Sequence, residues 1–275
     1  MKHRILSAAL IVTFFMVSCK KETNNTIPAA PPAPSQHRLL KDLIEPSLPS
    51  PYYHFVYRAD STISSLSFAS GFTMYDVFYS GGMISEMRNN IIVNHDTLRY
   101  IYGDMNHIAT INFINQAGII YRHALFHYDS DRISEIDWDH KDDVAGFVID
   151  RTLTFTYFPD GNVKEIKEHR PANGIETETN FTTAYDQYDD KINVDDFTLW
   201  EDGFHDHLFL LSGLHLQKNN PRKEVRTGDG ANYTVDYAYT YDGDGAPLEK
   251  DGNLIYTTGT QAGQRFHVST IYSYY

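Results

Sequence analysis

The sequence predicts an all-β protein. The expected form is a repetitive antiparallel β-hairpin meander making one curled or elongated sheet, with one short helical insertion near residues 204–216. Three observations predict it. Twenty Tyr and 16 Phe lift the aromatic share to 14% of 275 residues, and aromatic side chains suit a pleated, half-buried surface. A tyrosine-led unit recurs along the chain. Its units are punctuated by Gly, Asp and Asn, which supply positive φ and cap their own backbone in tight turns. Hydrophobic residues make up 41% and charged residues 21%, so a packed core is expected. The formal charge of −13 opposes a phosphate backbone and excludes nucleic acid as a partner.

Lys2, His3 and Arg4 form a basic start, and Ile5 to Val17 is an uncharged, mostly apolar run. A bilayer span needs about 20 such residues; this run has the length of a secretory signal core. It ends Met16-Val17-Ser18-Cys19, which resembles a bacterial lipobox, with Met16 where Leu is usual. The resemblance implies cleavage before Cys19 and lipidation of Cys19. This is the chain's one cysteine, so no disulfide forms within it. Lys20 to Gln36 is rich in Pro and poor in large apolar residues, the composition of a tether. Arg38 to Glu45 has the spacing of a short amphipathic helix, stopped by Pro46. The expected organisation is a lipoprotein signal peptide over 1–18, lipidated Cys19 with a Pro-rich tether over 19–51, and an antiparallel β-repeat domain over 52–275.

Each unit has a Tyr, a polar turn, an apolar residue five or six positions on, and a second three beyond that. Tyr57 leads to Ile63 and Leu66, Tyr79 to Ile84 and Met87, and Tyr102 to Ile108 and Ile111. Tyr128 leads to Ile133 and Ile136, and Tyr157 to Val163 and Ile166. Looser copies begin at Tyr188, with Ile192, and Tyr241, with Leu248, and Ile271 to Tyr275 reads as one last opening strand. Each unit predicts a β-hairpin, since Phe126-His127-Tyr128 and Phe155-Thr156-Tyr157 alternate as half-buried strands do. Ile133 and Ile136 are an odd step apart and would face opposite ways on a flat strand. Either a bulge beside the turn reconciles them, or the sheet is covered on both sides there. A lone hairpin cannot hide its apolar face, so neighbours must pair edge to edge into one sheet. Between Tyr188 and Tyr241 the rhythm breaks. Phe204, Leu208 and Leu211 have helical spacing there, with Leu210 and Leu214 alongside, and predict a helix plugging one end or face of the sheet.

Tyr241-Asp242-Gly243-Asp244-Gly245 through Leu248 resembles the tyrosine–aspartate, Rhs-type repeat. Tyr188-Asp189-Asp190-Lys191, then Lys218-Asn219-Asn220-Pro221, then Tyr239-Thr240-Tyr241-Asp242 resembles a group of Bacteroidota lipoproteins of unknown function. The resemblance implies a lipoprotein of the outer-membrane type with a repetitive antiparallel sheet, and it carries over no catalytic residue. Most units here lack Tyr-Asp followed by a glycine turn.

No phosphate-binding glycine loop, Gly-x-Ser-x-Gly elbow or His-Glu-x-x-His motif is present. His123 and His127 are too far apart along one strand face to share an ion. His205 and His207, with Asp202 and Asp206, form a polar cluster. Asp137, Asp139, His140, Asp142 and Asp143 form the densest acidic patch, and Asp242, Asp244 and Glu249 resemble part of a calcium loop without its spacing. Ordinary acidic turns account for both, so no metal and no cofactor is expected. Trp138 and Trp200 sit beside acidic residues. Together with Asp137 and Asp139 they are the candidate ligand-binding residues, aromatic faces next to carboxylates. The expected function is a non-catalytic, lipid-anchored protein of the outer membrane. Its β-repeat surface would bind a glycan or an envelope protein, and the membrane would be its partner through the lipid. The alternative is a carbohydrate-processing enzyme using the acidic cluster near Asp137 and Asp139, with Glu135 and Asp137 as a carboxylate pair.

Overall fold

The computed structural model describes residues 38–91, 95–174, 176–200 and 209–275. The expected signal sequence, Cys19 and the expected tether over Lys20–Gln36 lie outside the described residues, as does the cluster of Asp202, His205, Asp206 and His207. The strands are β1 (Leu40–Ile44), β2 (Tyr53–Tyr57), β3 (Ile63–Phe68), β4 (Thr73–Ser80), β5 (Met83–Asn89), β6 (Thr97–Tyr102), β7 (Ile108–Ile114) and β8 (Ile120–Asp129). They continue as β9 (Arg132–Asp142), β10 (Gly146–Tyr157), β11 (Val163–Arg170), β12 (Thr179–Asp186), β13 (Lys223–Gly228), β14 (Tyr233–Tyr241), β15 (Pro247–Tyr256) and β16 (Arg265–Tyr274).

Each strand pairs antiparallel with its neighbours in sequence, and β16 pairs with β1, so the sheet is a closed barrel. This corrects the expected open, curled or elongated sheet. An open meander leaves two edges of unpaired backbone groups. Here the first and last strands satisfy one another, with Leu43 opposite Tyr272 and Ile44 opposite Ile271. Tyr275 locks the seam: its N–H donates to Leu39 O at 3.1 Å and its hydroxyl to Phe55 O at 3.0 Å. The segment expected as a short helix at Arg38–Glu45 is therefore largely strand β1, because the ladder to β16 outweighs a weak helical pattern.

The five full repeats are hairpins, and each carries a bulge. The register slips by one residue at Val56/Tyr57, Phe78/Tyr79, Ile101/Tyr102, His127/Tyr128 and Thr156/Tyr157. The slip resolves the odd apolar step. Tyr128 lies opposite Ile133 and His127 opposite Glu135, so Ser134 is the extra residue. Ile133 and Ile136 are then both buried inside, at 1% and 0% exposure.

The repeated tyrosine has a structural task. Tyr102 donates its hydroxyl to Ile84 O at 2.8 Å, Tyr128 to Ile108 O at 3.0 Å, Tyr157 to Ile133 O at 2.7 Å and Tyr188 to Val163 O at 2.7 Å. In these four the acceptor is the carbonyl of the first apolar residue after the preceding unit's turn, so each of them is stapled to the unit before it; Tyr57 donates instead to Leu40 O of β1 at 2.9 Å. Burial pushes the phenols of Tyr102 and Tyr128 up to about 12. Tyr128→Phe is expected to cost about 0.5–1.5 kcal/mol, the usual net worth of one such bond, read as a shift in the urea midpoint with an unchanged slope.

A barrel of this many strands encloses more space than wall side chains fill; porins of similar strand number hold water there. In this protein the chain between β12 and β13 enters the interior. Phe197 meets Tyr53 and Phe55 edge-on at 5.1 and 5.4 Å. Phe209 lies within about 6 Å of Phe113, Phe126, Trp138 and Trp200. Tyr272 of β16 donates to Asp195 Oδ2 at 2.6 Å from the opposite wall. The expected helix near 204–216 is corrected over its described part. Phe209 to Leu216 is irregular with a turn at Ser212-Gly213, while residues 204–208 lie outside the described residues. Enclosed on all sides, Phe209, Leu210 and Leu211 are all buried rather than lying along one stripe. Their backbone groups bond to the wall instead of to a helix: Tyr100 OH donates to Leu210 O at 2.9 Å and accepts from Leu210 N at 3.2 Å.

Tyr188, a looser copy in sequence, lies two residues beyond the end of β12 and starts no hairpin; the chain turns inward there. The motifs that carry the family resemblance converge at this point. Asn220 Nδ2 donates to Ile192 O at 3.1 Å and to Tyr241 OH at 3.3 Å, and Tyr241 OH donates to Asp189. Asn162 Oδ1 accepts from the N–H groups of Lys218 and Asn219 at 2.9 and 3.0 Å. These polar residues clamp the two ends of the plug to the hairpin end of the barrel.

Candidate functional site

Alternation along each strand sends one set of side chains inward and the other outward. Across β2 to β9 the inward set is apolar and packs on the plug. Across β10 to β15 it turns polar and charged, and the plug leaves a cavity of about 200 Å³. Arg151 and Glu168 of β10 and β11, Tyr185 of β12, Glu224 and Arg226 of β13, Tyr233 of β14 and Lys250 of β15 line it, with Asp195 and Gln217 from the plug. The inward placement follows from the register: Tyr185 lies opposite Glu224, Arg226 opposite Tyr233, and Tyr239 opposite Lys250.

Two ion pairs are built into this chamber. Arg151 Nε approaches Glu168 Oε1 at 3.3 Å, and Arg170 reaches the same oxygen at 2.6 Å. Arg151 also donates to Trp200 O at 2.9 Å and lies over the Trp138 ring at 4.6 Å. Burial alone would raise the Glu168 carboxyl, but the two guanidinium groups outweigh it and hold the carboxyl below its ordinary value. Lys250 Nζ stands 3.6 Å from Asp195 Oδ2 and 4.6 Å from the centre of the Tyr237 ring. Burial alone would lower the Lys250 ammonium; the Asp195 carboxylate reverses that and keeps it charged.

Glu224 and Arg226 differ from these pairs. Glu224 accepts the hydroxyls of Tyr233 and Tyr237 at 2.8 and 2.9 Å. Arg226 lies on the Phe181 ring at 4.3 Å. Among the described residues neither makes an ion pair. The chamber thus offers donors and acceptors in nearly equal number around ionic partners already in place.

The residues singled out in sequence are not brought together. Trp138 and Trp200 are 4% and 2% exposed and face the interior, so neither presents a ring at the surface. Asp137 and Asp139 lie on the opposite face of β9, on the convex outer wall. Asp139 accepts from the His123 N–H at 2.8 Å, and Asp137 accepts from Thr152 and pairs with His127 at 3.1 Å. Ligand atoms of His127, Glu135 and Asp137 lie within 4.8 Å of one another on the outer face, with His127 exposed and Asp137 buried beneath its neighbours. Asp142 and Asp242 cap turns through Val144, Ala145, Asp244 and Ala246 backbone N–H groups, as acidic turns do. Sequence reading missed the chamber. The signal was available in part: Glu168 and Lys250 occupy the alternate positions that carry Trp138 and Ile136 in the Tyr128 repeat.

Charged side chains project from the outer wall on several strands. Arg88 and Arg99 clasp Glu86 at 2.6 and 3.0 Å; Glu165 and Lys167 project from β11, and Glu249 and Asp251 from β15. Met74, Phe78, Ile101, Phe147, Ile149 and Ile271 are exposed on this wall among them; Arg88 covers Phe78 at 4.3 Å. Among the described residues no helix is long and apolar enough to cross a membrane.

No protein-family model and no curated protein matches the chain. Solved structures do. A porin-like protein from Bacteroides uniformis ATCC 8492 superposes with a TM-score of 0.57 at 14% identity, over 81% of this chain and 89% of that one. A porin-like protein from Bacteroides vulgatus ATCC 8482 superposes with a TM-score of 0.56 at 16% identity, over 86% of this chain and 98% of that one. The likeness is one of fold.

Proposed function

We propose that this protein is a non-catalytic, lipid-anchored envelope protein whose barrel is a closed binding body rather than a channel. The observation that carries the reading is the polarity of the wall. A barrel that spans lipid needs an apolar outer band and keeps its polar residues inside, and Arg or Lys facing the bilayer midplane costs about 2–4 kcal/mol each. Here the apolar positions point inward onto a plug, and mid-strand positions such as Glu86, Arg88, Arg99 and Lys167 point outward. Such a body needs another means of staying at a membrane, and the lipobox at Met16-Val17-Ser18-Cys19 supplies one. The Bacteroides origin of its porin-like structural neighbours agrees with an envelope location. The partner is a glycan or an envelope protein, met on the periplasmic or the outer side of the outer membrane.

Cys19→Ala is expected to move the protein from the membrane to the soluble fraction and to abolish incorporation of labelled fatty acid. Unchanged fractionation of the variant would refute the anchor. Reconstituted into planar bilayers, the wild type is expected to give no conductance steps; discrete channels would overturn the closed-body reading.

A further inference from the structure

We infer that the interior chamber binds a single neutral saccharide unit, an inference that rests on the closed-body reading above. The argument begins with the charges that are already satisfied. Arg151 with Glu168, and Lys250 with Asp195, are paired inside the wall. A charged ligand competing for either pair would leave a buried ion without its partner, a costly outcome. A polyol has no such cost. Each hydroxyl donates to a carboxylate while accepting from a guanidinium or a phenol, so it joins the network without displacing a charge.

Glu224 and Arg226 mark where the ligand sits. They are alternate residues of β13 facing the same chamber, roughly 7 Å apart along the strand. Among the described residues neither has an ionic partner: the Glu224 carboxylate accepts only the neutral phenols of Tyr233 and Tyr237, at 2.8 and 2.9 Å, and the Arg226 guanidinium reaches the same Tyr233 hydroxyl, so a sugar hydroxyl can take the place of a phenol at either head without separating an ion pair. The Tyr185 and Tyr233 rings line the same space and supply an apolar face for sugar C–H groups. The cavity of about 200 Å³ admits one ring and not a chain of them. Arg226 and Tyr233 are partly exposed, and the loop residues between β11 and β12 and between β13 and β14 are mostly exposed, which places the opening at that end of the barrel.

The test is calorimetric titration of the purified full-length lipoprotein in a detergent without a sugar headgroup. The probes are glucose, galactose, mannose and N-acetylglucosamine, with glucuronate and inorganic phosphate as charged comparisons. At least one neutral sugar is expected to bind, and Glu224→Gln and Arg226→Gln are each expected to weaken it by roughly tenfold or more. Glu165→Gln on the outer wall is expected to leave binding unchanged. Should a chamber variant fail to fold, amide exchange on the wild type decides: the bound sugar is expected to slow exchange in β12 and β13 and not in β4 and β5. Absence of binding by every neutral sugar at about 10 mM, binding by the anions alone, or protection of β4 and β5 in place of the chamber strands β10 to β15 would overturn the inference. Such a failure leaves the anchor standing, since fractionation of Cys19→Ala reads the tether and not the chamber.

Discussion

Phe209→Ala is expected to destabilise the barrel by about 3–5 kcal/mol, the range for removing a buried aromatic ring. The ring stacks on Trp200 at 6.1 Å, meets Phe113, Phe126 and Trp138 of three successive strands, and is 1% exposed. Among its described residues the plug that carries it has only one short 3-10 turn, at Asp196–Thr198, and the closed wall cannot collapse into the hole. The cavity therefore persists, and the cost falls in the upper part of the range. The measurement is urea unfolding followed by tryptophan fluorescence, which reports directly because Trp138 and Trp200 both border the ring. A loss below about 1 kcal/mol would show that the plug is not what fills the barrel. Phe72→Ala, at an exposed position, is the control and is expected to change stability by less than about 0.5 kcal/mol.

Glu168→Gln is expected to cost about 3 kcal/mol, because it removes a carboxylate partner of Arg151, whose side chain is only 4% exposed. The same pair sets a pH dependence. The Glu168 carboxyl is held below its ordinary value of 4.5 in the folded protein. Its contribution is therefore fully present above pH 4.5, where the unfolded chain is also ionised. It is lost as pH falls below 4.5 through the lower folded value. Wild type is expected to lose stability over that acid window, and Glu168→Gln to show a flatter profile there, from parallel denaturant titrations at pH 7 and pH 4. Parallel slopes in the two proteins would show that the ion pair contributes nothing to the acid limb. Arg151→Met removes the buried cation itself. The double variant is expected to recover part of the loss, since replacing a buried pair outright costs less than breaking it.

These two results probe the features that local sequence conveys least. The hairpin unit was legible because each part of it is short-range. Tyr128, the turn at Asp129-Ser130-Asp131, and Ile133 with Ile136 lie within one stretch of chain, and a bulge was among the readings their odd spacing allowed. The unit's tyrosine was legible as a repeat but not as a staple, since its acceptor is the carbonyl of the preceding unit. Trp138 shows where neighbourhood misleads. It stands between Asp137 and Asp139 in sequence and reads as a surface aromatic, yet alternation places the ring inside and both carboxylates outside.

What the sequence determined by itself was the all-β class, the hairpin repeat, the turn chemistry and the lipobox-like Cys19, all of which depend on residues close together in the chain. Only the tertiary structure decided that the sheet closes, that the chain between β12 and β13 fills it, and that a polar chamber remains. Closure joins Leu43 to Tyr272 across almost the whole chain, and nothing local to either residue encodes the other. The physical reason is common to all three. An edge strand, a hollow barrel and a buried charge are each unfavourable alone, and each is satisfied by a partner that only the folded topology brings within reach.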